Sequence, residues 1–442
     1  MLTLADDALR SDITRYVVLT TTATLLLYLG YALLRRCMWE PTDRLVLYGA
    51  VLLRLAVFPL QPDLSDDAWR YIWDGRLVAN GISPYGTIPA DPALDQFHDD
   101  LFAVQGYPET PTIYPPGAQL LFAAAAATSG ASGSTLDTTG TLRGYYGWKL
   151  LLLLGELVAI FLLLRIRRLR ARSALPILLY AWHPLAIVEI AGQGHTDGIW
   201  VLALARAFHR YVRGTKGRGL AGLSFGTATR IFPALVIPLW FRYLDRRAMV
   251  AGVLASVPFA LLFLVFVDPE ALSSTTTVGA RFTNFYEFNG GVYQGVKAIL
   301  DAMHVSPSNE IAGGIVTGTM LAAIAAVILW PIRQRDFSSL LLRSLIIITL
   351  QISLTAKVHV WYGVAPLALI VLEERVRMTP VWLWLALTAP LTYLFYAVDP
   401  PSEPTWVLLL EWGGAVVMML AAIPLLRHRS RDLPEDDSCE KV

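Results

Sequence analysis

Residues 63–76 form the most acidic and aromatic segment of an otherwise apolar sequence. If the segment is helical, Asp67, Tyr71 and Asp74 share one face, because residues three and four apart are neighbours on a helix. A carboxylate on such a face can accept a proton from a substrate hydroxyl. The segment therefore predicts an acidic helix that is able to act as a general base.

The residue types at the two ends of the segment predict where this helix begins and ends. Ser65 is a good N-cap, and Asp66 and Asp67 would then lie in the first turn, where the helix dipole favours acids. Gly81, with a proline shortly after it, is expected to end the helix. The two acids also have a structural alternative, in which they stabilise the first turn and Asp66 pairs with Arg70.

Three further polar segments lie between apolar runs, at residues 192–198, 268–291 and 357–362. They contain acids that offer base catalysis, cations that bind phosphate and aromatic rings that stack on sugars. The candidates in these segments are His195, Asp197, Arg281, Asn289, Lys357, His359, Trp361 and Tyr362.

Most of these groups also have a structural alternative. His195 and Asp197 could cap the helix that follows them. Lys357 and His359 could extend from the membrane to its polar interface, and the tryptophans of the acidic segment could belong to an interfacial aromatic belt. Arg54 and Arg230 stand inside apolar segments, where an arginine is costly and faces either a cavity or an anionic partner.

The composition is that of a membrane protein. The 442 residues are 55% hydrophobic and 16% charged, with a mean hydropathy of +0.51, whereas charged residues make up about a quarter of a soluble domain. Apolar runs of roughly 17–23 residues recur along the chain and fit helices that cross a bilayer. The net charge of +1 gives no indication of a nucleic-acid partner, and two cysteines cannot build a thiolate metal cluster.

The basic residues predict the topology. They cluster in short loops that the positive-inside rule places in the cytoplasm, together with a tail at residues 427–442. The polar segments, including a large first loop at 61–147, then lie outside. Residues 117–128 are too short for a full crossing and are expected to form a re-entrant or juxtamembrane helix, and 219–241 to form a broken hairpin with Arg230 at its tip.

The predicted fold is one all-α membrane domain over residues 1–442, a bundle of about 11–13 transmembrane helices. The first loop is expected to carry short helices. No internal repeat is visible. The sequence contains no phosphate-binding loop, dinucleotide-binding glycine pattern, zinc-protease motif or nucleophile elbow.

Five motifs, in order along the chain, resemble those of the GT-C membrane glycosyltransferases, and most closely the bacterial mannosyltransferases of the GT87 type that use polyprenyl-phosphate-mannose. They are Ser-Asp-Asp-Ala-Trp-Arg-Tyr-Ile-Trp-Asp-Gly-Arg at 65–76 with Gly-Ile-Ser-Pro-Tyr at 81–85, Tyr-Pro-Pro at 114–116, Gly-His-Thr-Asp at 194–197, Glu-Phe-Asn-Gly at 287–290 and His-Val-Trp-Tyr at 359–362. One departure is Thr196, where many relatives have Asn.

The resemblance implies an inverting hexosyltransferase, with mannose as the sugar, that acts on a lipid or glycan acceptor at the extracytoplasmic face of a bacterial plasma membrane. It implies Asp67 as the catalytic base, because the family base commonly precedes a tyrosine by four residues, with Asp66 as second choice. No metal or other cofactor is expected. Cations would hold the donor phosphate (Arg230, Lys357, Arg281), and polar and aromatic residues would hold the sugar and the acceptor (Tyr71, Asp74, His195, Asp197, Asn289, His359, Trp361, Tyr362).

Two other functions are compatible with parts of the pattern. Another GT-C enzyme, with glucose, arabinose or aminoarabinose as its sugar, would share the architecture. A transporter or lipid flippase is a further alternative, but transporters commonly show structural repeats and ionisable residues near the midplane of the membrane. Here no repeat is visible and the polar groups gather at one face.

Overall fold

The computed structural model describes residues 9–266, 287–373 and 378–422. The described chain is helical, and its only extended pairing consists of isolated bridges from Phe288 and Asn289 to Lys357. The predicted phosphate ligand Arg281 and the predicted cytoplasmic tail at 427–442 lie outside the described residues.

The described residues from 9 to 229 form ten α-helices. They are α1 (Ile13–Arg36), α2 (Asp43–Val57), α3 (Asp67–Ala79), α4 (Asp100–Val104), α5 (Pro116–Ser129), α6 (Thr138–Leu169), α7 (Leu178–Ala181), α8 (Pro184–Ala186), α9 (Asp197–Val212) and α10 (Lys216–Thr229). A π-helical turn, Ile187–Gly192, follows α8 directly.

The described remainder begins with the 3₁₀ turn Phe232–Val236. It continues with α11 (Ile237–Phe241), α12 (Arg246–Phe266), α13 (Gly291–Ala302), α14 (Ser308–Leu329), α15 (Phe337–Ser353), α16 (Val364–Ile370), α17 (Thr379–Thr388), α18 (Thr405–Leu408) and α19 (Gly414–Ala422). The 3₁₀ segments Val360–Gly363 and Ala389–Ala397 precede α16 and follow α17.

Four described helical segments are long and apolar enough to cross a bilayer: Ile13–Arg36, Arg246–Leu264, Ser308–Leu329 and Thr379–Ala397. The pair Leu175–Ala181 and Pro184–Gly192, bent by 41°, is a fifth if it counts as one broken span. These segments confirm an all-α polytopic membrane protein. The total of 11–13 crossings stays a prediction, because several other apolar helices have only 10–17 residues.

The apolar stretch at residues 175–192 does not form one continuous helix. His183 takes an extended conformation before Pro184, and the π-helical turn follows, with Gly194 in the left-handed region at φ +84°. Proline cannot continue the hydrogen-bond ladder of the preceding helix. The interruption turns the chain so that residues 195–197 reach the start of α9 inside the bundle.

Helix α5 was expected to be a short helix packed beneath the first loop, and it contacts α3, α6 and α10. Its first turn touches the end of α10, because a Cβ on Gly117 would lie 2.6 Å from the Ala228 carbonyl oxygen. Helix α10 ends at Thr229, as the predicted hairpin tip requires, and Arg230 follows in an extended conformation. The acidic helix and Arg230 are thereby brought to the same region.

Helix α13 was not predicted. Its residues Tyr293, Val296 and Leu300 pack against α14, while Ile299 and Met303 remain largely exposed. The helix follows the polar segment at 268–291, and its residues received no structural prediction from the sequence.

Candidate active site

Two adjacent cavities meet at one wall of the molecule. The wall is formed by residues that line both of them: Asp67, Ile113, Tyr114, Lys357, His359 and Trp361. The structure thus brings the acidic helix, the Tyr-Pro-Pro segment and the segment at 357–362 together, although they are far apart in sequence.

The first cavity, called here the loop cavity, has a volume of about 300 Å³. Apart from the shared wall, it is lined by the residues at the start of α3, by the loops at 106–112 and 287–288, and by the 3₁₀ segments Val360–Gly363 and Ala389–Ala397. These residues are Leu64, Ser65, Asp66, Arg70, Gly106, Tyr107, Thr110, Pro111, Thr112, Glu287, Phe288, Val360, Tyr393, Phe395 and Tyr396. Charged and aromatic side chains therefore dominate its surface.

The second cavity, called here the helix cavity, has a volume of about 410 Å³. Apart from the shared wall, it is lined by α14, α15 and the turn after α10. These residues are Tyr71, Pro115, Thr196, Thr229, Arg230, Ile231, Phe232, Ala234, Leu235, Thr317, Met320, Gln351, Leu354, Thr355 and Tyr362. Its surface is mostly apolar, with one arginine and the shared lysine.

Asp67 is held at the first residue of α3. Ser65 Oγ accepts a hydrogen bond from the Asp67 N–H at 3.2 Å, and the Tyr71 hydroxyl lies 3.5 Å from Asp67 Oδ2. The N-cap is Asp66, one residue after the predicted Ser65. The Asp66 side chain makes no cap hydrogen bond. Asp67 and Tyr71 do share a face, as the helical spacing predicted.

Burial and neighbouring charges act in opposite directions on Asp67. Burial raises the pKa of this carboxyl above its usual value, while the positive charge of Lys357 lowers it and the negative charge of Asp66 raises it again. Burial likewise lowers the pKa of Lys357, against the effect of Asp67. An acid and a cation thus face each other in the wall between the cavities.

The alternative pairing of Asp66 with Arg70 was wrong. Arg70 Nε donates instead to Asp74 Oδ1 at 2.8 Å, and its Nη1 donates to the Thr110 carbonyl at 2.9 Å. The reason is burial: Asp74 is fully buried and needs a counter-charge, whereas the side chain of Asp66 is 53% exposed and pairs with Arg10 at 3.0 Å.

Arg230 forms an ion pair with Asp197, at the start of α9. Its guanidinium lies 4.9 Å from the Phe232 ring centroid and 4.8 Å from that of Tyr362, so that two aromatic faces flank the charge. Among the described residues, neither Arg230 Nε nor Asp197 Oδ1 has a hydrogen-bond partner. Arg230 lines the helix cavity, and Asp197 supports it from behind.

Three rings form a continuous stack through the shared wall. His195 and Trp361 stack with centroids 3.5 Å apart, and Trp361 and His359 with centroids 4.2 Å apart. His195 Nε2 lies 3.4 Å from the buried Glu189 carboxylate. His195 lines neither cavity, so its ring supports Trp361 from the protein interior. Burial and the nearby Lys357 hold the pKa of His359 well below its usual value, which favours the neutral ring.

Like His195 and Asp197, the predicted binding residues Asp74 and Asn289 line neither cavity. Asp74 accepts from Thr112 Oγ1 at 2.5 Å and from Gln119 Nε2 at 3.1 Å, in addition to Arg70. The Asn289 amide donates to Glu411 at 2.8 Å. Both side chains are buried.

Comparison with known proteins assigns the chain to a family. Residues 5–244 match the family described as "Alpha-(1->6)-mannopyranosyltransferase, N-terminal domain" (MptA_B family), which is more than half of the chain. The chain belongs to this mannosyltransferase family. No curated protein is significantly similar to it. The protein is therefore a membrane glycosyltransferase of the mannosyl-transferring kind, as the sequence motifs suggested.

The region that matches the mannosyltransferase family contains only part of the shared wall. It includes Asp67, Ile113 and Tyr114 of this wall, and Arg230 of the helix cavity, but it ends before the segment at 357–362, which contributes Lys357 and Trp361. The second half of the chain thus completes the two cavities.

Sequence reasoning missed several residues of this mannosyltransferase site. Tyr114 lines both cavities, and Arg10 holds Asp66; the Tyr-Pro-Pro motif was a usable signal for the first. Gln351, inside an apolar helix, was a further signal. Arg54, in contrast, lies outside the site, where it forms an ion pair with Glu156 at 2.7 Å.

Among the described residues, no group of three or more His, Cys, Asp or Glu side chains is arranged to hold a metal ion. The acids nearest the site, Asp66, Asp67 and Glu287, are each engaged with or opposed by a cation.

Proposed function

We propose that this mannosyltransferase moves mannose, with inversion, from a polyprenyl-phosphate-mannose donor to a hydroxyl of a lipid or glycan acceptor, and that Asp67 is the catalytic base. One observation carries the proposal: the Asp67 carboxylate and the Lys357 ammonium belong to the wall that is shared by two adjacent cavities, of which the helix cavity is the more apolar and the loop cavity has more charged side chains. Such a wall offers a base to one ligand and a cation to the other.

The helix cavity suits the lipid-linked donor. Met320, Leu354 and Leu235 supply apolar surface from different elements, and Arg230 and Lys357 supply positive charge next to it. A polyprenyl phosphate has the same division, since an apolar chain ends in a charged phosphate. Arginine and lysine are the usual partners of phosphate in proteins.

The loop cavity suits a hydroxyl-bearing acceptor. Asp66, Arg70 and Glu287 provide hydrogen-bonding groups, and Tyr107 and Tyr396 provide aromatic faces. Sugars are commonly bound by such a mixture of polar groups and aromatic surfaces. Asp67 lies at the point where this cavity meets the helix cavity.

The reaction would then proceed in one displacement. Asp67 accepts the proton of the acceptor hydroxyl while the hydroxyl oxygen forms a bond to the anomeric carbon. The bond from that carbon to the phosphate oxygen breaks on the opposite side, and both electrons leave with the phosphate. Base assistance of this kind typically contributes about 10²–10⁴ in rate. Arg230 and Lys357 stabilise the charge that develops on the phosphate.

Asp67 is preferred over Asp66 because of its position. Asp67 lines both cavities, whereas Asp66 lines only the loop cavity and is paired with Arg10. A base must lie within reach of both the acceptor proton and the donor carbon. We further propose that the site faces the extracytoplasmic side and that the reaction needs no metal.

The test is transfer of radiolabelled mannose from polyprenyl-phosphate-mannose in membranes that contain the protein. We expect Asp67→Asn to lower transfer by roughly 10²–10⁴-fold. Asp66→Asn is the matched control and is expected to retain most of the activity. Normal transfer by a well-expressed Asp67→Asn protein would refute the assignment of the base.

Two additions to the same assay test the remaining parts of the proposal. Transfer should persist in EDTA, and a loss that added divalent metal restores would contradict the metal-free reaction. Donors that carry glucose or arabinose on the same lipid should be poor substrates; equal transfer from them would show that mannose is not selected.

A further inference from the structure

Gln351 is a polar residue inside an apolar helix. It lies near the end of α15, within the run Ser-Leu-Ile-Ile-Ile-Thr-Leu-Gln-Ile-Ser at residues 344–353. The residue is 3% exposed, and among the described residues nothing forms a hydrogen bond to its Oε1 atom. A buried carbonyl oxygen without a partner is costly, and native structures rarely retain one.

The same side chain reaches a binding cavity. Gln351 lines the helix cavity together with Arg230, Lys357 and Asp67. A ligand in that cavity can therefore supply the hydrogen bond that no described residue makes to Gln351 Oε1.

The chemistry of the unpartnered atom narrows the kind of ligand group. A carbonyl oxygen only accepts hydrogen bonds. A phosphodiester at neutral pH carries no proton to donate, and a polyprenyl chain has no polar hydrogen at all. The hydroxyls of a hexose are the groups of the donor that can satisfy this oxygen, and a hydroxyl can also accept from the amide nitrogen at the other end of the side chain.

We infer that Gln351 is a donor-binding residue that hydrogen-bonds a sugar hydroxyl of the lipid-linked donor, whereas Arg230 and Lys357 bind its phosphate. The inference rests on the proposed function, since it takes the helix cavity as the donor site. Gln351 is then the residue that distinguishes the sugar-loaded carrier from the bare polyprenyl phosphate that remains after transfer.

The helix offers a matched control for this role. Ser344 lies seven residues earlier on α15 and therefore on the same helix face. Its Oγ is also buried and without a hydrogen-bond partner among the described residues, yet Ser344 lines neither cavity. A substitution of Ser344 therefore removes a buried polar group without removing a ligand contact.

The experiment compares Gln351→Met, which keeps length and volume, with Ser344→Ala in the full-length protein. We expect Gln351→Met to raise the KM for polyprenyl-phosphate-mannose roughly tenfold, as the loss of one hydrogen bond predicts. Inhibition by unglycosylated polyprenyl phosphate should be unchanged. Ser344→Ala should leave both quantities unchanged, and neither variant should melt at a lower temperature than the wild type.

Three results would overturn the inference. An unchanged KM in Gln351→Met would show that the residue does not contact the donor. An equal weakening of polyprenyl phosphate would place the contact on the carrier instead of the sugar. A lower melting temperature with an unchanged KM would show a structural role. Failure of the proposed function is distinguishable, because the wild-type protein itself would then not transfer mannose from this donor.

Discussion

The Tyr71 hydroxyl lies 3.5 Å from the Asp67 carboxylate, one helical turn along α3. Its ring stacks on Phe122 of α5 with centroids 4.8 Å apart, and it meets Tyr114 edge-on at 5.0 Å. The helix beneath the first loop therefore fixes the tyrosine, and the tyrosine in turn contacts the proposed base. This relationship explains why two residues four apart in sequence act as one unit.

The pH dependence of transfer should report the charge of Lys357. A base must be deprotonated to act, so activity rises with pH through the pKa of Asp67, which burial raises above its usual value. The positive charge of Lys357 lowers the pKa of Asp67. Lys357→Gln should therefore move the acidic limb of the kcat/KM profile to higher pH.

Asp66→Asn provides the opposite shift in the same measurement. Asp66 raises the pKa of Asp67, so its neutralisation should move the acidic limb to lower pH. Acidic limbs that coincide in the wild type and both variants would mean that a group other than Asp67 controls this limb.

Arg230 and Asp197 should behave as a pair in stability and as separate residues in catalysis. Arg230→Met leaves the Asp197 carboxylate buried without its counter-charge, which typically costs about 3–5 kcal/mol. The double variant Arg230→Met/Asp197→Asn should recover most of the stability, as measured by thermal unfolding in detergent. It should still bind the donor poorly, because the phosphate loses its arginine.

A double variant with a wild-type KM for the donor would show that Arg230 serves only to neutralise Asp197. Arg230→Lys/Asp197→Asn is the complementary control, since it restores a positive charge in the cavity without the ion pair. We expect it to recover part of the donor affinity.

Trp361 should be required for the shape of both cavities. Its ring lies between those of His195 and His359 and forms part of the shared wall. Trp361→Ala removes two stacking contacts and should lower kcat/KM by roughly 5- to 150-fold, since each aromatic contact contributes about 0.5–1.5 kcal/mol. Trp361→Phe keeps a stacking face and should lose less, and equal losses would argue against stacking as its role.

The Arg54–Glu156 pair should affect stability and not substrate binding. Both side chains are fully buried, and Arg54 also donates to the Ala181 carbonyl at 2.7 Å, away from both cavities. Arg54→Met should destabilise the protein by about 3–5 kcal/mol because it leaves Glu156 unpaired. The KM values of the protein that remains folded should match the wild type, and a raised donor KM would contradict a purely structural role.

The amino-acid sequence by itself determined the fold class and the main polar segments. Apolar runs interrupted by basic loops identify a helical membrane protein, because a bilayer admits few other solutions for the backbone. The spacing of Asp67 and Tyr71 predicted their shared helix face, because helix geometry is local. The motifs pointed to the mannosyltransferase family to which the chain belongs.

Only the tertiary structure decided which polar residues reach the cavities. Asp74 and Asn289 were predicted site residues, as Asp67 and Lys357 were, but their side chains form buried hydrogen bonds within the protein. Asp67 and Lys357, in contrast, line the shared wall. Arg70 pairs with Asp74 and not with Asp66 because Asp74 is buried and needs a counter-charge. Which ion pairs and hydrogen bonds form depends on which charges are buried together by helices that are distant in sequence. No local pattern encodes that burial.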